Sequence, residues 1–404
     1  MNATGQSDSS IGRVTGFEAS EAAFLARDAV DCLPEGALER KLAAGRPLRV
    51  KLGLDPTAPD VHLGHTVVLR KLREFQDRGH VVVLIIGDYT ARVGDPSGRS
   101  TTRPVLSGEQ IDANARTYVE QAATVLDPDR IELRHNSEWL DMRMEELFAL
   151  ARTTTVAQLL ERDDFSRRHA AREPISILEL LYPLMQAYDS VAVRADVELG
   201  GTDQKFNLLL GRDVQRAYGL DEQVALTMPI LAGLDGERKM SKSLGNHIGV
   251  GEAPQEIYGK TLSLPDAAMA GWYGLLLGEC APAGLSARDA KHALARRLVE
   301  RFHSAAAADA AAAHFDRVFV QRELPEEIEE ARFDGSGELV HLPALIAESF
   351  GRSRADARRL LGQGAVRLDG HTLAGEDLDV VPERLDGAVL QVGKRGFRRL
   401  RRLA

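Results

Sequence analysis

The segment Val81–Ile86 constrains the fold more than any other, because it is six consecutive aliphatic residues, VVVLII, most of them β-branched. A strand of that kind is apolar on both faces, so it belongs in a parallel sheet covered by helices on each side. Ahead of it stand a second short buried strand, Arg49–Leu54, a turn at Asp55-Pro56-Thr57, and an apolar stripe over residues 62–75 spaced for a helix. Strand, helix, strand is a parallel α/β unit, and the alternation continues. Helices are expected over residues 108–125, 175–188 and 206–218, with strands at 131–133, 197–199 and 223–231. The fold class is therefore α/β, with a doubly wound, Rossmann-like parallel sheet over residues 46–231.

The rest of the 404-residue chain reads differently. Residues 1–45 are a tail and a leading helical segment. After Gly251 the strands give way to an Ala/Leu-rich stretch, so residues 232–321 are expected to form a polar loop and a helical domain. Residues 322–338 are acidic and contain Pro325, Gly335 and Gly337, as a linker would. Residues 339–404 form a small α+β domain.

Charge separates these parts. The chain carries 51 Lys/Arg against 60 Asp/Glu, net −9, which taken whole discourages nucleic-acid binding. From Leu339 onward the balance reverses to twelve basic against eight acidic residues, ending in Lys394, Arg395, Arg398, Arg399, Arg401 and Arg402. Arg354, Arg358 and Arg359 fall on one face of a short helix, and an Asp369-Gly370 turn follows, a compact basic surface suited to phosphate. Cys32 and Cys280 are the only cysteines, which argues against a disulfide framework and a cysteine-rich zinc site. No apolar run is long enough to span a bilayer, and the polar first twenty residues do not read as a secretion signal, so a cytoplasmic protein with no membrane partner is expected.

Two segments carry chemistry. His62-Leu63-Gly64-His65 follows a strand and turn at a helix start, where two imidazoles three residues apart share a face beside the positive helix end, and Gly64 lets a ligand approach. Alone, the pair also fits unrelated histidines or two zinc ligands, although no third ligand accompanies it. Lys239-Met240-Ser241-Lys242-Ser243 lies in a polar, glycine-bearing loop, where two ammonium groups can reach a triphosphate. Alone, it also fits a solvated loop. A third group, Tyr182, Gln186 and Asp189, is spaced at i, i+4 and i+7, so an aromatic, an amide and a carboxylate face the same way.

Together these segments resemble the class I aminoacyl-tRNA synthetases, and the surrounding residues resemble the bacterial tyrosyl enzymes that end in an S4-type RNA-binding domain. The resemblance rests on KLGLDPTAPDVHLGH (residues 51–65), GDPS around Asp95, YPLMQAYD (residues 182–189), GGTDQ (residues 200–204) and KMSKS, and it extends from about residue 45 to the C-terminus. It implies a tyrosine–tRNA ligase that joins tyrosine to ATP and passes the tyrosyl group to tRNA(Tyr). ATP would be a substrate accompanied by Mg2+, with no prosthetic group and no protein metal site, and the enzyme would be a homodimer. The resemblance assigns Gly53, Asp55, Thr57, His62, Gly64, His65, Asp203, Lys239, Met240, Ser241 and Lys242 to ATP, with His62, His65, Lys239 and Lys242 catalytic. It assigns Asp95, Tyr182, Gln186, Asp189 and Gln204 to tyrosine, and Arg354, Arg358, Arg359, Lys394 and Arg395 to tRNA. One residue departs from the pattern. Where many relatives have a tyrosine contacting the substrate phenol, this chain has Lys51, so either Asp189 suffices, another group helps, or Lys51 pairs with a carboxylate. The rival readings are a tryptophan-activating relative, a retired scaffold that only binds RNA, and a metabolic nucleotidyltransferase.

Overall fold

The structure, a computed structural model, describes residues 20–57, 60–95, 107–320, 328–373, 378–393 and 396–403. The chain divides into two compact units, one up to His303 and one from Ser304.

The first unit is built on six strands: β1 (Asp31–Leu33), β2 (Arg49–Leu54), β3 (Val81–Ile86), β4 (Ile131–His135), β5 (Val197–Gly201) and β6 (Val224–Met228). Their order is β1-β6-β5-β2-β3-β4. All pairings are parallel except β1 with β6, where Asp31 faces Thr227 and Leu33 faces Ala225. In β3 the residues from Val82 to Ile86 are fully excluded from solvent, as a strand apolar on both faces requires. The chain winds outward from β2 through β3 to β4, then returns to the other side through β5 and β6. That reversal leaves a crevice between β2 and β5 at their carboxyl ends, where open α/β sheets bind ligands.

Helices cover both faces. The helix α1 (Leu63–Asp77) buries Leu63, Val67, Leu69, Leu72 and Phe75 against the sheet and stops where Gly79 takes positive φ. Ser107 caps α2 (Gly108–Ala122) and Ser176 caps α3 (Ile177–Ala192), each in a reciprocal box with Gln110 or Glu179 three residues on. The helix α4 (Lys205–Ala217) packs on α3. Three further helices of the first unit, Pro254–Leu262, Asp266–Trp272 and Ala287–Phe302, contain no intervening strand.

In the second unit, the helix Ala305–Phe315 is followed by a five-stranded sheet. Its strands are β7 (Glu330–Phe333), β8 (Val366–Leu368), β9 (His371–Thr372), β10 (Val389–Val392) and β11 (Gly396–Arg402), in the order β9-β8-β10-β11-β7. The helices Leu342–Phe350 and Arg354–Gly362 close its core through Leu345, Ile346 and Leu361. Two expectations are corrected. The helical stretch 232–321 is divided between the two units, and β7 lies inside the stretch read as linker. β7 is only four residues long, Glu-Ala-Arg-Phe, and its pairing with β11 spans about seventy residues of sequence, which no local pattern signals.

Candidate active site

The crevice between β2 and β5 holds a cavity of about 550 Å³. Every residue assigned above to ATP or tyrosine lines it, including Gly53, Thr57, Met240 and Ser241. Leu52, Val68, Ile85 and Leu199 supply an apolar wall suited to a flat ring.

His62 is the N-cap of α1. Its Nδ1 accepts the Gly64 N–H at 3.2 Å, and the Nδ1 of His65 accepts the His62 N–H at 3.2 Å, so the two imidazoles form a reciprocal cap with ring centroids 3.9 Å apart. Burial, with the neighbouring rings and lysines, lowers His62 to about 2. Burial and Lys242 lower His65 to about 4. Both rings are neutral near pH 7. With Nδ1 accepting, each Nε2 carries the proton and is a donor.

The loop after β6 is a hairpin in which the Met240 N–H bonds Leu231 O at 2.9 Å and the Gly233 N–H bonds Arg238 O at 2.8 Å. Buried Asn246 organises it, accepting the Ser241 N–H at 2.8 Å and donating to Asp235 Oδ2 at 2.8 Å and Lys239 O at 3.1 Å. A Cβ on Gly233 would overlap the Asn246 amide, so this approach needs glycine. Lys239 Nζ rests 3.0 Å from Asp203 Oδ2, and Lys242 Nζ 2.9 Å from Asp60 Oδ2.

On the opposite wall, Tyr182 donates to Asp55 Oδ2 at 2.8 Å, and Thr90 donates to Asp55 Oδ1 at 2.7 Å. Burial, then the Asp55 and Asp95 charges, hold the Tyr182 phenol well above its usual range. Gln204 Nε2 reaches Asp95 Oδ2 at 2.9 Å, and Asn207 Nδ2 bonds the side-chain oxygens of Gln186 at 2.8 Å and Gln204 at 2.9 Å. Asp189 is buried, with Oδ1 accepting the Trp139 indole at 2.8 Å and Oδ2 the Asn136 amide at 3.4 Å. Burial raises its carboxyl to about 7, against the Lys51 charge and those two donors.

Lys51 does not line the cavity; it pairs with Glu198 at 2.9 Å. Sequence reasoning missed Asp60, Asn136, Trp139, Glu198, Asn207 and Asn246. Asp60 lies in the 51–65 segment but gains its role only from Lys242, Asn246 acts through Asp235, Lys239 and Ser241 of its own loop, and the others matter through partners distant in sequence. Among the described residues no group of three His, Cys, Asp or Glu side chains could hold a metal ion. In the second unit Arg354, Arg358 and Arg359 are exposed, and Arg359 pairs with Asp356. Lys394 and Arg395 lie outside the described residues, as do Pro96 and Ser97 of the GDPS segment.

The family described as tRNA synthetases class I (W and Y) matches residues 43–320. The chain belongs to that family. Among this synthetase's relatives, a tyrosine–tRNA ligase of Moorella thermoacetica is 52% identical over 93% of this chain and 94% of its own. A tyrosine–tRNA ligase of Bordetella avium is 49% identical over 92% of this chain and 93% of its own. The synthetase also superposes on a tyrosyl-tRNA synthetase of Archaeoglobus fulgidus solved with L-tyrosine, at TM-score 0.59 and 25% identity over 71% of this chain and 98% of that one.

Proposed function

We propose that this synthetase joins tyrosine to ATP, releasing pyrophosphate, and then transfers the tyrosyl group to the 3′ end of tRNA(Tyr). The observation that carries the choice of amino acid is Asp189, a buried carboxylate in the cavity whose orientation Trp139 and Asn136 fix. A phenol hydroxyl completes its set of partners. Phenylalanine would leave it short of one, and an unmatched buried acceptor is costly. The tyrosine carboxylate attacks the α-phosphorus, forming a new P–O bond as the bond to pyrophosphate breaks. This needs alignment and charge stabilisation and no protein nucleophile.

The neutral imidazoles of His62 and His65 offer N–H donors to the nucleotide. Lys239 and Lys242 exchange Asp203 and Asp60 for the phosphates of the leaving pyrophosphate. Asp95, Tyr182, Gln186 and Gln204 hold the amino end of tyrosine. Magnesium would enter with ATP on the substrate's own phosphates, as a cation that sheds its waters reluctantly does, while Asp55 stays engaged by Tyr182 and Thr90.

Arg354, Arg358, Arg359, Lys394 and Arg395 bind tRNA phosphates, and the same reading puts the enzyme with translation in the cytoplasm. No helix among the described residues is long and apolar enough to cross a membrane. The protein is a homodimer in this reading, supported by Met144, Phe148, Val156, Ile177 and Leu178, large apolar side chains that are at least half exposed in the first unit.

ATP–pyrophosphate exchange with tyrosine, phenylalanine and tryptophan tests the reading. Exchange with tyrosine alone, weakened in Asp189→Asn, is expected. No exchange with any of the three, from folded protein, overturns it.

A further inference from the structure

Behind the tyrosine side of the cavity stands a charge that the reaction does not use. Lys51 lies in the middle of β2, wholly excluded from solvent. Its three ammonium protons meet three acceptors: Gln186 O at 2.9 Å, Ser190 Oγ at 2.8 Å and Glu198 Oε1 at 2.9 Å. No donor is left for a ligand. Glu198, on the neighbouring strand β5, is as fully engaged. It accepts Ser190 Oγ–H at 3.1 Å, Gln186 Nε2 at 3.2 Å and the Gln223 amide as well.

Gln186 and Ser190 are one turn apart on α3, and Asp189 lies between them. The pair therefore grips the main chain of that turn at Gln186 O, its far end at Ser190, and the amide of Gln186, whose oxygen Asn207 holds from the other side. Stability does not account for such an arrangement. Removing two charges from water cancels most of their attraction, and a neutral pair of the same shape is often as stable. What the charges add is direction, because few neutral groups could satisfy Gln186 O, Ser190 Oγ and the Gln186 amide together.

We propose that Lys51 is a positioning residue for amino-acid activation: paired with Glu198, it fixes the Gln186–Ser190 turn and the Gln186 amide against the substrate and does not touch the ring hydroxyl. This rests on the reading of the cavity as a tyrosine site. It also makes the lysine a replacement for the tyrosine of many relatives in place but not in task. Binding determinants shared by tyrosine and phenylalanine depend on Lys51 through its hydrogen bonds; Asp189, which separates the two, feels Lys51 only through space, where the Glu198 charge opposes it.

The test compares wild type with the neutral pair Lys51→Met/Glu198→Gln, using Tm, the KM values for tyrosine and ATP in pyrophosphate exchange, and the Ki of phenylalanine against tyrosine. Lys51→Met alone leaves Glu198 unpaired, so it is read for Tm only, which is expected to fall. In the double variant Tm is expected to return close to wild type. Its KM for tyrosine and Ki for phenylalanine should rise together, about tenfold, with the KM for ATP within twofold. A double variant with wild-type KM for tyrosine would reduce the pair to a structural role and overturn the proposal. A raised KM for tyrosine with an unchanged Ki for phenylalanine would mean that Lys51 reads the hydroxyl, and would overturn it too. Wild type without tyrosine-dependent exchange would remove the activity itself, a result distinct from either.

Discussion

Leu63 donates its backbone N–H to the carbonyl of Ile248 at 2.9 Å, and Val250 returns the bond to Val61 at 2.9 Å. These two rungs join the turn that carries His62 to the strand leaving the lysine loop. The donors of one motif and the ammonium groups of the other thus share a frame, and the freedom left to the loop lies before residue 247. Asn246 stands at that boundary.

Asn246→Ala removes three hydrogen bonds at a buried site and frees the Lys239–Ser241 backbone. At about 1–3 kcal/mol for buried polar groups left unmatched, kcat for pyrophosphate exchange should fall roughly 10- to 100-fold. The KM for tyrosine should stay within twofold, because in the proposed reaction the loop serves the phosphates and not the amino acid. Steady-state exchange kinetics check this, and a change confined to the tyrosine KM would contradict it.

The imidazoles of His62 and His65 should not titrate between pH 5 and 8, since their pKa values are lowered to about 2 and about 4. An unfolded histidine protonates near 6.5, so on acidification the unfolded state takes up protons first. Stability from these two groups is fully present above pH 6.5 and is lost progressively as the pH falls toward 4 and then 2. NMR of labelled histidines, assigned with His62→Asn, reads the first statement. A titration near 6.5 for either ring would contradict it.

Tyrosine binding near pH 7 should release a proton. Asp189 is raised from 3.8 to about 7, so its burial penalty grows as pH rises between those values, and about half of the molecules hold the proton at pH 7. A phenol hydroxyl donating to the carboxylate favours the ionised form. Calorimetric titration in buffers of different ionisation enthalpy should give roughly half a proton released for tyrosine and none for phenylalanine. Equal values for the two ligands would count against a contact between Asp189 and the hydroxyl.

The triple variant Arg354→Ala/Arg358→Ala/Arg359→Ala should leave pyrophosphate exchange unchanged while weakening aminoacylation through the KM for tRNA. The three side chains are exposed in the second unit, away from every residue that lines the cavity in sequence. For every arginine–phosphate pair removed, the salt slope of tRNA binding should fall by about one. An unchanged slope would remove these arginines from the RNA surface.

The sequence was legible where one segment decides its own structure. The strand Val81–Ile86 was read to the residue because a run apolar on both faces fits nothing else, and α1 was found from its stripe with an error of one or two residues at its ends. β1 was missed because it is three residues long, half-buried and held only by β6, almost two hundred residues away. β7 was missed for the same reason. The site divides along the same line. Residues in short motifs were named from sequence and meet in one cavity, because the motifs fall at strand ends around one crevice. Asn207 and Glu198 were invisible, since an amide or carboxylate gains its meaning from partners that only the folded chain supplies.

In the proposed reaction the ion pairs Lys239–Asp203 and Lys242–Asp60 mean that the triphosphate never meets bare cations. It displaces carboxylates that the protein itself provides, both partly exposed to solvent. Added salt weakens the incumbent and the newcomer alike. Affinity for ATP should therefore be buffered against ionic strength, and the resting enzyme is less open to capture by stray anions than two free lysines would leave it.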